Sequence, residues 1–158
     1  MGQPPVHRVL LGVVESSELI RALLKAAFFH YIGYAHAIEA ELSAMIKAIS
    51  YAMRYGWHRV WVESDSSLAV QILKDRSQNV PWRMMSAWIS CLSLVEGLCL
   101  DVSHVYREAN QVADAFFKRA IMEVSSSWSF ILPSYCDNLV SNDRDGVLYT
   151  RLCNASYF

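Results

Sequence analysis

The sequence predicts an α/β domain in which a mixed sheet is flanked by helices. Three observations carry that prediction. Apolar residues alternate between a period near 3.6 and a period of two along the chain. The resulting order is strand, helix, strand, helix, helix, strand, helix, which suits parallel strands joined by right-handed crossovers. Neither an internal repeat nor a low-complexity stretch interrupts it.

Val9 to Val14 reads as a short strand or an unordered start. Glu15 to Ala27 reads locally as an amphipathic helix, with Leu19, Ile20, Leu23, Leu24 and Ala27 at helical spacing. Phe28 to Ile32 is aromatic and extended, and Gly33 ends it. Ala37 to Tyr55 is a long helix. Leu42, Met45, Ile46, Ile49, Ala52 and Met53 form its stripe, and Gly56 suits the C′ stop.

His58 to Glu63 has the clearest strand pattern, with Val60 and Val62 on one face and Trp61 on the other. Ser66 to Lys74 follows as a short helix, and Asp75 to Val80 as a polar loop. Pro81 fits the first turn of a helix running to about Gly97, with Trp82, Met85, Trp88, Ile89 and Leu92 as its apolar side. Leu100 to Tyr106 is a strand. Asn110 suits an N-cap, and Val112, Ala113, Phe116, Phe117 and Ala120 make the stripe of a last helix reaching about Glu123. Residues 124–158 form a tail without a clear period.

The 158 residues suffice for one domain with a proper core, and 54% hydrophobic against 18% charged residues argues against disorder. A net charge of -1 gives no global field for nucleic acid, so any such binding must be local. Cys91, Cys99, Cys136 and Cys153 make neither a CxxC pair nor a zinc-spaced cluster, and read as reduced thiols of an intracellular protein. No apolar run approaches the ~20 residues of a membrane span, and a monomer without a membrane partner is expected.

Three carboxylates fall at informative positions. Glu41 stands near the start of the long helix, Asp65 follows the best strand, and Asp114 lies early in the last helix. Residues past strand carboxyl ends and on neighbouring helices converge on one crevice in α/β sheets. Carboxylates gathered there repel one another unless a cation joins them, and hard oxygen donors suit magnesium. Simpler readings stand beside this. Asp65 serves as a helix N-cap, and Glu41 and Asp114 as acids favoured by the dipole of a first helical turn.

The wording of the segments adds a resemblance. "AIEAELSAMIKAISYAM", "RVWVESDSSLAVQIL", "VPW" and "SHVYREANQVADAFFKRA" occur in order over about Phe28 to Met122. Together they resemble the plant RNase H-like domain family, type 1 RNase H relatives often linked to non-LTR retroelements. "LPSYCDNLVSNDRDGVLYTRL" looks like the segment that often follows the domain. The resemblance implies an RNase H-like fold and cleavage of the RNA strand of an RNA–DNA hybrid by two-metal hydrolysis, with Mg2+ or Mn2+. Carried over residue by residue, it makes Glu41, Asp65 and Asp114 catalytic residues and metal ligands. Asn110 and Glu108 match the loop before the last aspartate, and His104 the histidine that opens the "HVYREAN" strand. A packed strand histidine is the plainer role for His104. Arg107 stands where many bacterial and retroviral relatives carry a mobile-loop histidine. Asn110, Arg107 and His104 are therefore the expected substrate contacts.

One departure matters. The family's central first strand carries "DGA" or a close variant, whose aspartate bridges the metals. No Asp precedes Asp65 here, and residues 1–27 lack the family's glycine-rich hairpin. The first strand or strands are expected to be missing or altered, with activity weakened or lost. An inactive RNase H-like nucleic-acid-binding protein, or a fragment without independent function, is the alternative. The chain divides into a divergent segment 1–27, the domain 28–123 and a tail 124–158.

Two further groups invite nucleic-acid contacts. Trp57, Trp61, Trp82 and Trp88 suggest base stacking, although phase assigns Trp61 and Trp88 to the core and leaves Trp82 for exposure. Arg54, Arg59, Lys74, Arg76, Arg83 and Arg107 offer phosphate contacts, or simply a solvated surface.

Overall fold

The structure is a computed structural model that describes the backbone of residues 6–13, 23–31, 35–106 and 127–129, and side chains over 35–106. In chain order the elements are β1 (Val6–Val13), β2 (Leu23–Tyr31), α1 (Ala37–Arg54), β3 (Arg59–Ser64), α2 (Ser67–Lys74), a 3₁₀ turn (Trp82–Met84), α3 (Met85–Val95), β4 (Cys99–His104) and β5 (Ser127–Ser129). The described strands make one sheet in the order β4-β3-β1-β2-β5. β3 and β4 are parallel, while β1 runs antiparallel to both β2 and β3 and β2 antiparallel to β5. The sheet is therefore mixed, and it takes strands from each of the three segments into which the sequence was divided.

α1 forms because its apolar residues recur at helical spacing, burying Leu42, Met45, Ala48, Ile49 and Ala52 along one stripe. Glu39 accepts a hydrogen bond from the His36 N–H at 2.9 Å and closes the first turn. At the far end Gly56 has φ +71. The Gly56 N–H donates to the Met53 carbonyl and the Trp57 N–H to the Ala52 carbonyl, a Schellman stop that a Cβ would strain.

β3 alternates as expected, with Val60, Val62 and Ser64 buried on the helix-covered face. These valines share one core with the α1 stripe, with Ala69, Val70, Ile72 and Leu73 of α2, and with Trp88, Cys91 and Val95 of α3. Each large apolar side chain buried there contributes roughly 1.5–3 kcal/mol relative to exposure. Trp88 is fully buried, and its indole N–H donates to the Ser77 carbonyl at 2.7 Å. That bond pins the loop after α2 to α3. No described helix is long and apolar enough to cross a membrane.

Several expectations change. The helix expected over 15–27 gives way to strand at residues 23–27, where β2 pairs with β1 through a register shift at Leu11/Gly12. A continuous apolar run such as "LLKAAFF" supports either element locally, and sheet pairing decides it. Residues 15–22 lie outside the described residues. A strand does stand at the sheet centre, in altered form: β1, "VHRVLLGV", holds no acidic residue. Two strands thus precede α1: β1 overlaps the short strand read from Val9, and β2 takes in the extended stretch from Phe28 to Tyr31. Pro81 precedes a 3₁₀ turn rather than opening α3, which begins at Met85. The expected last helix lies outside the described residues.

Candidate functional site

The carboxyl end of β3, which lies beside that of parallel β4, meets the first turns of α1. Antiparallel β1 is hydrogen-bonded to the other side of β3, and its pairing ends at Leu10 opposite Glu63. Ser64 stands level with His104 across β3 and β4, and the Val105 N–H donates to the Ser64 carbonyl at 3.0 Å. Asp65 follows directly, half-buried, where the chain leaves the sheet.

Glu41 reaches this corner from α1. The Ser64 hydroxyl donates to Glu41 Oε2 at 3.0 Å and accepts from the Ser66 N–H at 3.1 Å. Glu41 is thereby held against the residue that immediately precedes Asp65. Two of the three sequence-predicted carboxylates therefore belong to this strand end, Glu41 bonded to Ser64 and Asp65 next to Ser64 in the chain. Asp114 lies outside the described residues, as do Arg107, Glu108 and Asn110.

Asp65 does not cap α2. The N-cap is Ser66, whose Oγ accepts from the Ala69 N–H at 3.3 Å. "DSS" offers three residues able to cap, and the helix begins one position later than the strand-end aspartate requires. The cap role that the sequence suggested for Asp65 thus falls to Ser66.

His104 is exposed at the end of β4, so the packed-histidine reading does not hold. Its ring meets Tyr106 edge-on at 5.6 Å, and Tyr106 is itself exposed. A polar chain occupies the other face of the sheet. The Trp61 indole donates to Ser103 Oγ at 2.7 Å, and Ser103 donates to Glu63 Oε1 at 3.2 Å. Trp61 is half-buried on that face rather than a core residue, whereas Trp88 is core. Trp82 is 80% exposed, with the Arg83 guanidinium 5.7 Å from its ring centre. Arg54, Arg59, Lys74 and Arg76 are exposed as well.

Sequence reasoning passed over Ser64. The signal was present: the period of two that buries Val60 and Val62 places Ser64 on the same face. A polar residue at a core position is the informative kind.

Among the described residues no three His, Cys, Asp or Glu side chains cluster as a ready-made ion site. The donor chemistry nonetheless suits a hard divalent cation, since Glu41 and Asp65 both carry carboxylate oxygens.

A mixed five-stranded sheet with helices packed on it is consistent with an RNase H-like α/β fold, and solved structures agree. RNase H1 from the halophilic archaeon Halobacterium salinarum is 22% identical over 62% of this chain and 86% of its own, with a TM-score of 0.52. The N-terminal RNase H domain of a Mycobacterium tuberculosis protein, solved as a fusion with maltose binding protein, is 17% identical over 75% and 94%, at 0.53. LC11-RNase H1, isolated from compost by a metagenomic approach, is 18% identical over 75% and 95%, at 0.52. At these identities the likeness establishes the fold. A family model described as reverse transcriptase-like matches residues 14–120, and the chain belongs to that family. A search of curated proteins finds no match.

Proposed function

We propose that the chain is an RNase H-type domain that binds RNA–DNA hybrid and retains weak divalent-metal-dependent hydrolysis of the RNA strand. The observation that carries this reading is the Glu41–Ser64 hydrogen bond, which ties a helix carboxylate to the strand end that Asp65 follows in the chain. The fold supports it, and RNase H-like domains generally use divalent metals. Glu41, Asp65 and Asp114 would hold Mg2+ or Mn2+. When bound, such ions activate a water and stabilise the leaving oxygen of a phosphodiester.

The chain's own residues would do the rest. The carboxylates fix where the scissile phosphate lies relative to the sheet end. His104 and Tyr106 present an exposed imidazole and ring beside that corner, suited to a sugar or base of the substrate. Arg107 and Asn110, next along the chain, would extend those contacts. A hybrid is recognised mainly by shape, phosphates and 2′-hydroxyls, so a net charge of -1 suffices if cations are local.

A second reading has its own observation. β1 at the sheet centre contains no acid, which favours a domain that binds hybrid without cleaving it. End-labelled hybrid, incubated with and without Mg2+, separates the two. Slow Mg2+-dependent RNA cleavage supports the first. Salt-sensitive binding without cleavage supports the second. No binding even at low salt sinks both.

A further inference from the structure

The geometry points to Ser64 as a positioning residue that fixes the Glu41 carboxylate for metal binding, an inference that rests on the reading of Glu41 and Asp65 as metal ligands. Ser64 is only 3% exposed, and it is the one buried polar residue among the described residues. Burying a hydroxyl is unfavourable unless its hydrogen bonds are made. Here the hydroxyl is used in both directions. Its single proton goes to Glu41 Oε2, and its oxygen receives the Ser66 N–H.

The consequence is geometric. One hydroxyl ties the first turns of α1 to the N-cap of α2, with Asp65 between them. Glu41 is the fifth residue of an eighteen-residue helix, and its long side chain has several rotamers. The bond to a buried, strand-fixed donor selects one of them. Alanine at this position would satisfy the core, because Val60 and Val62 precede it on the same face. What alanine lacks is the donor that orients the carboxylate. Hydrogen-bond partners of ligating carboxylates typically account for about 10–100-fold in metal affinity or activity.

The test is Mn2+ binding by the full chain, read as loss of the free-ion electron paramagnetic resonance signal. Thermal melts without metal run alongside. The wild type is expected to bind Mn2+, Ser64→Ala to bind about tenfold or more weakly while remaining folded, and Ser64→Thr, which keeps the hydroxyl, to bind like the wild type. In a Glu41→Gln background, Ser64→Ala is expected to have little further effect, since the two residues act as one unit. A merely structural serine would lower the melting temperature and leave the affinity of the folded protein unchanged. Equal Mn2+ affinity in wild type and Ser64→Ala, or a full additional loss in the Glu41→Gln background, overturns the positioning role while leaving the metal site standing. A wild-type chain that takes up no Mn2+ overturns the metal site itself, and the role of Ser64 with it.

Discussion

The two neighbours of β3 make an instructive pair. On one side β4 continues a crossover unit: parallel pairing over six residues, α2 and α3 packed on the shared core, and an acidic corner at the carboxyl end. On the other side β1 pairs over four residues, antiparallel, and brings "VHRVLLGV" without one acid. Both neighbours complete the sheet, because backbone groups pair whatever the side chains. Only one neighbour meets the site with chemistry. A central strand can thus be kept in the fold while the carboxylate expected of it is absent. The crossover half should then govern stability and metal binding, and β1 should limit the rate.

The largest expected effect tests the stability side. Trp88→Ala empties a fully buried position and removes the hydrogen bond to the Ser77 carbonyl. It should cost about 3–5 kcal/mol, measured by urea denaturation. A loss below about 1 kcal/mol would mean that the crossover half does not dominate the core.

Function and stability should then part at two adjacent residues. Asp65→Asn keeps size and backbone while removing charge. It should lower Mg2+-dependent hybrid cleavage by more than the roughly 100-fold seen for outer partners of metal ligands, with the urea midpoint nearly unchanged. Unaltered cleavage would remove Asp65 from the chemistry. Ser66→Ala should do the converse. It deletes the N-cap of α2 and should cost about 1 kcal/mol, with Mn2+ affinity preserved.

The contrast with β1 can also be sharpened by adding to it. The antiparallel register that ends at Leu10 and Glu63 brings Val9 level with Ser64 one step further on. Val9→Asp would place a carboxylate on the central strand at the level of the acidic corner. Hybrid cleavage should rise by about tenfold, a 1.4 kcal/mol gain in transition-state stabilisation. An unchanged rate in a folded variant would show that the missing acid is not what limits turnover.

The crossover half was legible because periodicity and packing agree there. The α1 stripe, the Gly56 stop and the Val60/Val62 alternation each follow from one local pattern that the tertiary structure reinforces. Val9–Val13 and Phe28–Tyr31 already read as strand or extended, but the first half of β2 was not legible, because 23–27 is apolar at every residue but Lys25 and carries no period of two. Only its partners across the sheet make it a strand. At the corner, residue types singled out Glu41 and Asp65. They pointed to Asp65 as the cap where Ser66 takes it, since both side chains accept a backbone N–H and the choice rests on where the strand releases the chain. Ser64 was missed because a serine in "ESDSS" looks like loop composition until β3 is seen to run through it.

The smallest expected effect again concerns the crossover core. Cys91 lies in the α3 face of that core, and burial pushes its thiol up from 9.0 to about 12. The unfolded chain loses this proton near its ordinary value, while the folded chain keeps it through the window from 9 to about 12. The folded state therefore binds more protons across that window, and stability falls as pH rises through it. Below pH 9 the contribution is fully present. Urea midpoints between pH 8 and pH 10.5 should decline, and Cys91→Ala should flatten the decline while lowering stability overall. Exposed Cys99 offers the control. In a chain with Cys136 and Cys153 replaced by serine, a thiol reagent at neutral pH should label one site rapidly and the second only as the core opens. Two fast thiols would mean that α3 does not seal the core next to β3, and the crossover half would lose its claim to be the more stable neighbour.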